Sequence, residues 1–192
     1  QTMFGKFRSR TPENIAAEFE WIAKNLPEVK EVLIDDDTFT MKYKHAREVS
    51  QELIKINNKI PWTCEVRATL DQETLEWMKK AGCRLVVVGF ETIDQSVLKN
   101  IKKGIIQKNA EQFTIDAKKA GIKVHGCFMA GNPGDTLDSL NATLEWAIKK
   151  DFDTAQFFPL QVYPGTVAYE EQKKAGLLKD QPYRLWVTED GM

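Results

Sequence analysis

Three consecutive aspartates follow a short apolar segment near the start of the chain. In EVLIDDDTFT, residues 31–40, Asp35, Asp36 and Asp37 come directly after the letters VLI. Adjacent carboxylates repel each other and aspartate is a poor strand former, so the triplet marks the end of a strand. Aspartates also cap turns by accepting hydrogen bonds from backbone amides. Taken alone, the triplet therefore fits a turn cap better than a ligand site.

Polar residues also end the later apolar segments. WTCEVRATL contains Glu65 and Arg67, RLVVVGFET ends in Glu91 and Thr92, and HGCFMAGNPGD ends in Asp135. The middles of these segments are mostly apolar. In a barrel, the carboxyl ends of the parallel strands meet at one face, which is where barrel enzymes hold their active sites. The pattern therefore predicts a ligand site at that face.

Helical and apolar segments alternate along the chain and position these residues. TPENIAAEFEWIAKNL has helical spacing, with Thr11 as N-cap and Pro12 at the first position. A long helical zone over residues 94–120 is expected to break at Gly104. About five alternations with short links predict an α/β fold in which helices cover a parallel sheet. We expect one domain over residues 1–192.

Two arrangements of a parallel sheet are compatible with this alternation. A doubly wound sheet usually has a glycine-rich phosphate loop after its first strand, and neither GxGxxG nor GxxxxGK[ST] occurs here. A (β/α) barrel needs no such loop. The sequence therefore favours a barrel, complete or partial.

Composition argues against several classes of function. The formal net charge is −1, which gives no indication of binding to nucleic acid. No apolar segment reaches membrane-spanning length, and the N-terminus has no secretory signal pattern. Cys64, Cys83 and Cys127 are widely spaced, which fits free thiols in a cytoplasmic protein better than a disulfide framework.

In this order and at these spacings, the polar segments resemble the radical S-adenosylmethionine (SAM) superfamily. The resemblance rests on DDDTFT, RATLDQETLEWMKKAGCRLVVVGFET, NIKKG, FMAGNPGDT, and YPGT followed by AYEE. It is greatest to the cobalamin-associated branch that includes magnesium-protoporphyrin monomethyl ester oxidative cyclases. It implies a partial (β/α)₆ barrel and reductive cleavage of SAM at a [4Fe–4S] cluster.

The cluster loop of that family is not in this sequence. Relatives have CxxxCxxC after their first strand, and the three cysteines here are too far apart to replace it. QTMFGKFRSRTPENI resembles the segment that follows this loop. The resemblance therefore implies the C-terminal part of a radical SAM barrel, with the first strand, the cluster loop and any cobalamin domain upstream. Such a fragment is expected to bind no cluster, to be inactive alone, and to self-associate through the open strand edge at VLID.

The resemblance also implies roles for individual residues. The pair Asp36 and Asp37 is expected to bind the methionyl amino group of SAM, and Arg67 its carboxylate. Glu91 and Thr92 are expected to bind the ribose hydroxyls. The adenine is expected to contact the apolar side chains of Phe128 and Met129 and the backbone of Val162 and Tyr163. Relatives have Glu where this chain has Asp135, so a direct role for that shorter side chain is in doubt.

The implied activity is radical chemistry on a small-molecule substrate, such as cyclisation or methylation, with SAM, a [4Fe–4S] cluster and cobalamin as cofactors. Two other classes of function stay open at this point. One is a metal-dependent barrel lyase in which Asp36, Asp37 and Glu91 hold Mg²⁺ or Mn²⁺ through oxygen ligands. The other is a binding module without catalysis. The sequence does not identify a substrate.

Overall fold

The computed structural model describes residues 8–178. The chain divides into two compact units, Gln1–Phe158 and Pro159–Met192. The first contains a parallel sheet and six helices in its described part, and the described part of the second contains one helix. The expectation of a single domain over the whole chain stays a prediction.

The elements alternate as the sequence predicts. The strands are β1 Val32–Ile34, β2 Trp62–Val66, β3 Cys83–Glu91, β4 Lys123–Ala130 and β5 Thr154–Pro159. The helices are α1 Pro12–Asn25, α2 Tyr43–Lys55, α3 Gln72–Lys80, α4 Gln95–Asn100, α5 Gln107–Ala120, α6 Leu137–Lys150 and α7 Val167–Lys174. A 3₁₀ turn, Phe39–Met41, joins β1 to α2.

The five strands form one sheet whose spatial order, β1-β2-β3-β4-β5, follows the chain. The pairs β1–β2, β2–β3 and β3–β4 are all parallel. A doubly wound sheet would reverse its strand order at a switch point, whereas a barrel keeps adding strands in one direction. The fold is therefore the α/β partial barrel that the sequence predicts.

The two faces of the sheet differ in burial because successive side chains of a strand point to opposite sides. On β3, Val86, Val88 and Phe90 are buried in a core that also contains Leu53 and Leu75 from the helices. The alternate residues of β3 are only partly buried, and they lie on the inner face of the sheet, away from these helices. The inner face is the one that can present side chains to a ligand.

Local signals fix the helix ends. The Thr11 hydroxyl accepts a hydrogen bond from the Asn14 amide and caps α1. The predicted break at Gly104 is confirmed: α4 ends at Asn100, α5 begins at Gln107, and Gly104 has a φ of +68°. That left-handed backbone conformation suits glycine, which has no Cβ.

The strand β1 lies at one edge of the described sheet and pairs with β2 alone among the described strands. The Leu33 side chain on this strand is 58% exposed. At the other edge, every residue of β5 is exposed.

Within residues 8–178, none of the helices combines the length and the apolar composition that crossing a membrane would require.

Candidate active site

A cavity of about 230 Å³ lies on the inner face of the sheet, towards the carboxyl ends of β2 and β3. It is named the strand-end cavity here. Its lining combines three carboxylates, two cations and a thiol with small or apolar groups: Asp37, Glu65, Glu91, Arg67, Lys103, Cys127, Thr38, Val66, Val87 and Gly89. This is the face at which the sequence predicts a ligand site.

An ion pair between Glu91 and Lys103 forms one wall of the cavity. The Lys103 Nζ donates to Glu91 Oε1 at 2.5 Å, and both side chains are mostly buried. Gly89 makes room for this pair, since a Cβ built there would lie 2.8 Å from Glu91 Oε1 and 3.0 Å from Lys103 Nζ. A side chain at position 89 would therefore require the ends of the Glu91 and Lys103 side chains to shift.

The backbone at Glu91 is in an unusual conformation. The β3–β4 register shifts between Gly89 and Glu91, and Glu91 has a φ of +65°. This left-handed region costs a non-glycine residue roughly 1–2 kcal/mol. Residues held in such conformations cluster at functional sites, where the surrounding structure over-determines them.

Arg67 connects the cavity to the loop that precedes α5. Its Nη2 donates to the Lys103 carbonyl oxygen at 3.0 Å. Among residues 8–178, no carboxylate lies within ion-pair distance of this guanidinium. Arg67 therefore keeps hydrogen-bond donors available for an anionic group.

The Cys127 thiol, on β4, also lines the cavity. Burial raises its pKa, the negative charges of Glu91 and Glu65 act in the same direction, and the positive charge of Lys103 opposes them. The thiolate is the nucleophilic form of cysteine. At neutral pH Cys127 is therefore a neutral thiol and a weak nucleophile.

The aspartate triplet that follows β1 is divided between two cavities. Asp37 lines the strand-end cavity, whereas Asp35 and Asp36 line a different one of about 470 Å³ beside α1 and β1. Asp36 Oδ1 also accepts a hydrogen bond from the Thr38 amide at 3.4 Å. The turn-capping explanation therefore describes Asp36, and only Asp37 stands among the other candidate residues.

Two of the predicted SAM contacts lie on the opposite face of the sheet. Phe128 is completely buried in an aromatic cluster, stacked on Phe90 at 5.7 Å between ring centroids. Thr92 is 3% exposed, and its hydroxyl lies 3.1 Å from the Thr143 hydroxyl of α6. Side chains alternate along a strand, so Thr92 points away from the face that carries Glu91, and Phe128 points away from the face that carries Cys127. The structure does not bring Phe128 or Thr92 to the cavity.

The remaining adenine contacts stay predictions. Met129, at the end of β4, is half-buried and does not line the strand-end cavity. Val162 and Tyr163 belong to the second unit, where the Tyr163 hydroxyl donates to Gln161 Oε1 at 2.7 Å. Asp135 has a structural role: its Oδ2 accepts hydrogen bonds from the amides of Gly131 and Asn132.

The described residues do not form the metal site that the lyase alternative requires. Across residues 8–178, no three His, Cys, Asp or Glu side chains come together as metal ligands. Asp36 and Glu91 line different cavities, so the predicted Asp36–Asp37–Glu91 set is wrong. The three cysteines do not fit a [4Fe–4S] cluster either, since Cys64 and Cys83 are buried in the core and Cys127 lines the cavity.

Lys103 was missed by sequence reasoning, and Glu65 and Cys127 were not assigned a role. The period-two alternation of β2 places Glu65 on the same face as Arg67, and that signal was available in the sequence. Lys103 lies in the loop between α4 and α5, so its approach to Glu91 depends on tertiary structure alone.

Comparison with known proteins identifies the family. The sequence pattern of the radical SAM superfamily matches residues 1–147 of this chain. The chain belongs to the radical SAM superfamily. An uncharacterised methyltransferase of Pyrococcus horikoshii is 34% identical over 163 residues, which are 84% of this chain and 36% of that protein. The anaerobic magnesium-protoporphyrin IX monomethyl ester cyclase of Rubrivivax gelatinosus is 26% identical, over 86% of this chain and 30% of the cyclase.

A solved radical SAM structure has the same fold. The methyltransferase TsrM of Kitasatospora setae, with cobalamin and a [4Fe–4S] cluster bound, superposes with a TM-score of 0.79 at 20% identity. The match covers 91% of this chain and 33% of TsrM. The chain thus spans about a third of the length of these relatives. The predicted superfamily, the resemblance to magnesium-protoporphyrin monomethyl ester cyclases and the partial barrel are confirmed.

Proposed function

We propose that this chain is the SAM-binding part of a cobalamin-associated radical SAM enzyme that transfers a methyl group to a small molecule. The observation that supports this proposal is the charge pattern of the strand-end cavity in a chain of this superfamily. Carboxylates and cations line the same cavity, as a zwitterionic amino-acid group requires. The methionyl end of SAM is such a group.

The size of the cavity limits which part of SAM it encloses. At about 230 Å³ it is smaller than the pockets of about 300–1,000 Å³ that enclose drug-sized ligands. We therefore assign it to the methionyl end, with Asp37 and Glu65 accepting from the ammonium group. Lys103 binds the carboxylate, together with or in place of Arg67. Glu91, held on the wall by Lys103, accepts a hydrogen bond from a ribose hydroxyl.

These residues bind and orient SAM and exclude water from the site. SAM, when bound, supplies a transferable methyl group or, after reductive cleavage, a 5′-deoxyadenosyl radical, and this chemistry belongs to the cofactor. The cluster that drives cleavage needs ligands from outside residues 8–178, because the cysteines described here do not meet. Methylation is preferred to cyclisation since the relative at 34% identity and TsrM both have methyltransferase in their names.

Product analysis of the full-length enzyme tests this assignment. The enzyme, with cluster and cobalamin reconstituted, is incubated with SAM under reducing conditions, and the adenosyl products are separated. Methyl transfer from SAM leaves S-adenosylhomocysteine, whereas reductive cleavage leaves 5′-deoxyadenosine and methionine. We expect S-adenosylhomocysteine, and loss of that product in Lys103→Ala. 5′-Deoxyadenosine as the sole product would favour the cyclase-type activity instead.

The remaining expectations about the protein's surroundings belong to the same proposal. We infer that the protein acts on a small molecule and does not bind nucleic acid, since its net charge is −1. We also infer that it is cytoplasmic, because an iron–sulfur cluster and free cysteine thiols both require a reducing compartment. We also infer that the 192-residue chain alone self-associates through the β1 edge.

A further inference from the structure

A second cavity lies beside the strand-end cavity and shares Arg67 with it. It has a volume of about 380 Å³ and is lined by Thr40, Met41, Tyr43, Arg67 and Thr69. It is named the Arg67 cavity here. Its walls come from the 3₁₀ turn after β1, the start of α2 and the loop after β2, so it lies at the same carboxyl-terminal end of the sheet.

The two cavities differ in charge. The strand-end cavity contains three carboxylates against two cations, whereas the described lining of the Arg67 cavity contains one guanidinium and no carboxylate. One Arg67 donor is occupied by the Lys103 carbonyl, which holds the side chain between the two cavities. An anion entering the Arg67 cavity therefore meets positive charge without the repulsion that Asp37, Glu65 and Glu91 would exert on the other side.

Neutral side chains line the rest of the Arg67 cavity. The Tyr43 hydroxyl donates to the Thr69 carbonyl at 2.7 Å and lies 3.0 Å from the Thr69 hydroxyl, which fixes both at the wall. The Thr40 hydroxyl is buried and has no hydrogen-bond partner in the described part of the chain. The oxygen of that hydroxyl has almost no accessible surface, so it forms part of the packed wall and does not face the cavity.

The start of α2 also favours an anion in the Arg67 cavity. This helix begins at Tyr43, has no acidic residue in its first turn, and receives no side-chain capping hydrogen bond. Its first amides therefore keep their donors, and the positive end of the helix dipole favours negative charge nearby. The half-exposed Met41 side chain adds an apolar surface at the mouth of the cavity.

We propose that the Arg67 cavity binds an anionic group of the substrate, a carboxylate or a phosphate, next to the methionyl end of SAM. Arg67 is the residue that determines this specificity, and the hydroxyls of Tyr43 and Thr69 line the site with it. That the bound anion is part of a substrate rests on the proposed function, whereas the affinity of the cavity for an anion does not. The proposal also reassigns Arg67, which the family resemblance gives to the SAM carboxylate, and leaves that carboxylate to Lys103.

The test uses the Met41 methyl group as a reporter in the full-length protein. Methionine methyls labelled with ¹³C give sharp NMR signals in large proteins, and Met41→Leu identifies the relevant signal. Inorganic phosphate and acetate are titrated separately. We expect a saturable shift of the Met41 signal, and the anion that binds more tightly identifies the substrate group. Failure of both anions to shift this signal would overturn the proposal.

Variants separate the Arg67 cavity from general charge effects. Arg67→Gln should weaken anion binding about tenfold or more, as loss of a charge-assisted hydrogen bond predicts. Arg84→Gln, which removes a guanidinium paired with Glu31 at the other end of β3, should leave it unchanged. An equal loss in Arg67→Gln and Arg84→Gln would contradict the site.

A repeat with SAM present distinguishes this proposal from the proposed function. SAM binding is measured first, by equilibrium dialysis on the same protein. If SAM binds and phosphate or acetate still shifts the Met41 signal, the two ligands occupy separate sites, as we expect. If SAM abolishes that shift, Arg67 binds the SAM carboxylate and the substrate site proposed here is wrong. If SAM does not bind while the anion does, the proposed function fails and the anion site stands.

Discussion

Glu91 combines a strained backbone with an ion pair inside the strand-end cavity. Its φ of +65° is unfavourable for a side chain with a Cβ, and Lys103 holds the carboxylate at 2.5 Å. Gly89, which has no Cβ, leaves the space that the ends of these two side chains occupy. The site thus depends on a left-handed backbone conformation at a single residue, Glu91.

Two substitutions at this position measure the strain. Glu91→Ala and Glu91→Gly both remove the ion pair, but only glycine accepts the left-handed conformation at low cost. We expect Glu91→Gly to be more stable than Glu91→Ala by about 1 kcal/mol in urea unfolding. If the alanine variant were as stable as the glycine variant, the backbone at Glu91 would not be strained.

At the scale of elements, the strand ends are supported by capped helices. Asp71 caps α3 by accepting from the Thr74 amide at 2.8 Å, and Arg47 of α2 contacts Asp71, Glu73 and Thr74. Burial raises the pKa of Asp71, but the hydrogen bonds from Thr74 and the charge of Arg47 outweigh it and leave that pKa lowered. The cap therefore links α2 and α3 directly after the β2 loop that contains Arg67.

The lowered pKa of Asp71 gives a pH-dependent prediction. A carboxyl group whose folded pKa is depressed stabilises the fold above its unfolded pKa, about 3.9, and loses that contribution as pH falls through the folded value. At pH 7, Asp71→Ala should cost about 1 kcal/mol, and Asp71→Ser should retain most of the cap. The gap between wild type and Asp71→Ala should narrow as pH falls below about 4 and continue to narrow through the lower folded pKa. A gap that does not narrow as pH falls below about 4 would contradict a role for the ionised cap.

The sequence predicted elements better than it predicted side-chain directions. The order of strands and helices and the break at Gly104 follow from periodicity and from glycine, both of which are local. Thr92 and Phe128 were assigned to the ligand with their neighbours, although alternation along β3 and β4 puts them on the buried face. Lys103 reaches the cavity only through the packing of a loop, which no local pattern encodes.

At the scale of the whole molecule, the described sheet has open edges. The β1 edge presents unpaired backbone over Val32–Ile34, with Leu33 58% exposed beside it. Exposed edges of this kind pair with further strands. In the relatives, of which this chain spans about a third, further chain is available for such contacts.

Sedimentation of the 192-residue chain alone tests the open edge. We expect its mean mass to rise with concentration, and Leu33→Lys to reduce that rise because a charge beside the edge opposes strand pairing. Leu137→Lys is the matched control, since Leu137 is 79% exposed at the first position of α6 and does not lie on a strand. A chain that stays monomeric at all concentrations would contradict this prediction.

If SAM occupies the strand-end cavity, as we propose, Asp36 and Asp37 should differ in their effect on SAM binding. SAM affinity is measured on the full-length protein with its cluster reconstituted, for Asp36→Asn and Asp37→Asn in parallel. Loss of a charge-assisted hydrogen bond of roughly 1.5–3 kcal/mol should weaken SAM binding about tenfold or more in Asp37→Asn. Asp36→Asn should bind SAM like the parent, because Asp36 lines the other cavity. Unchanged affinity in Asp37→Asn, or a larger loss in Asp36→Asn, would contradict the placement of SAM.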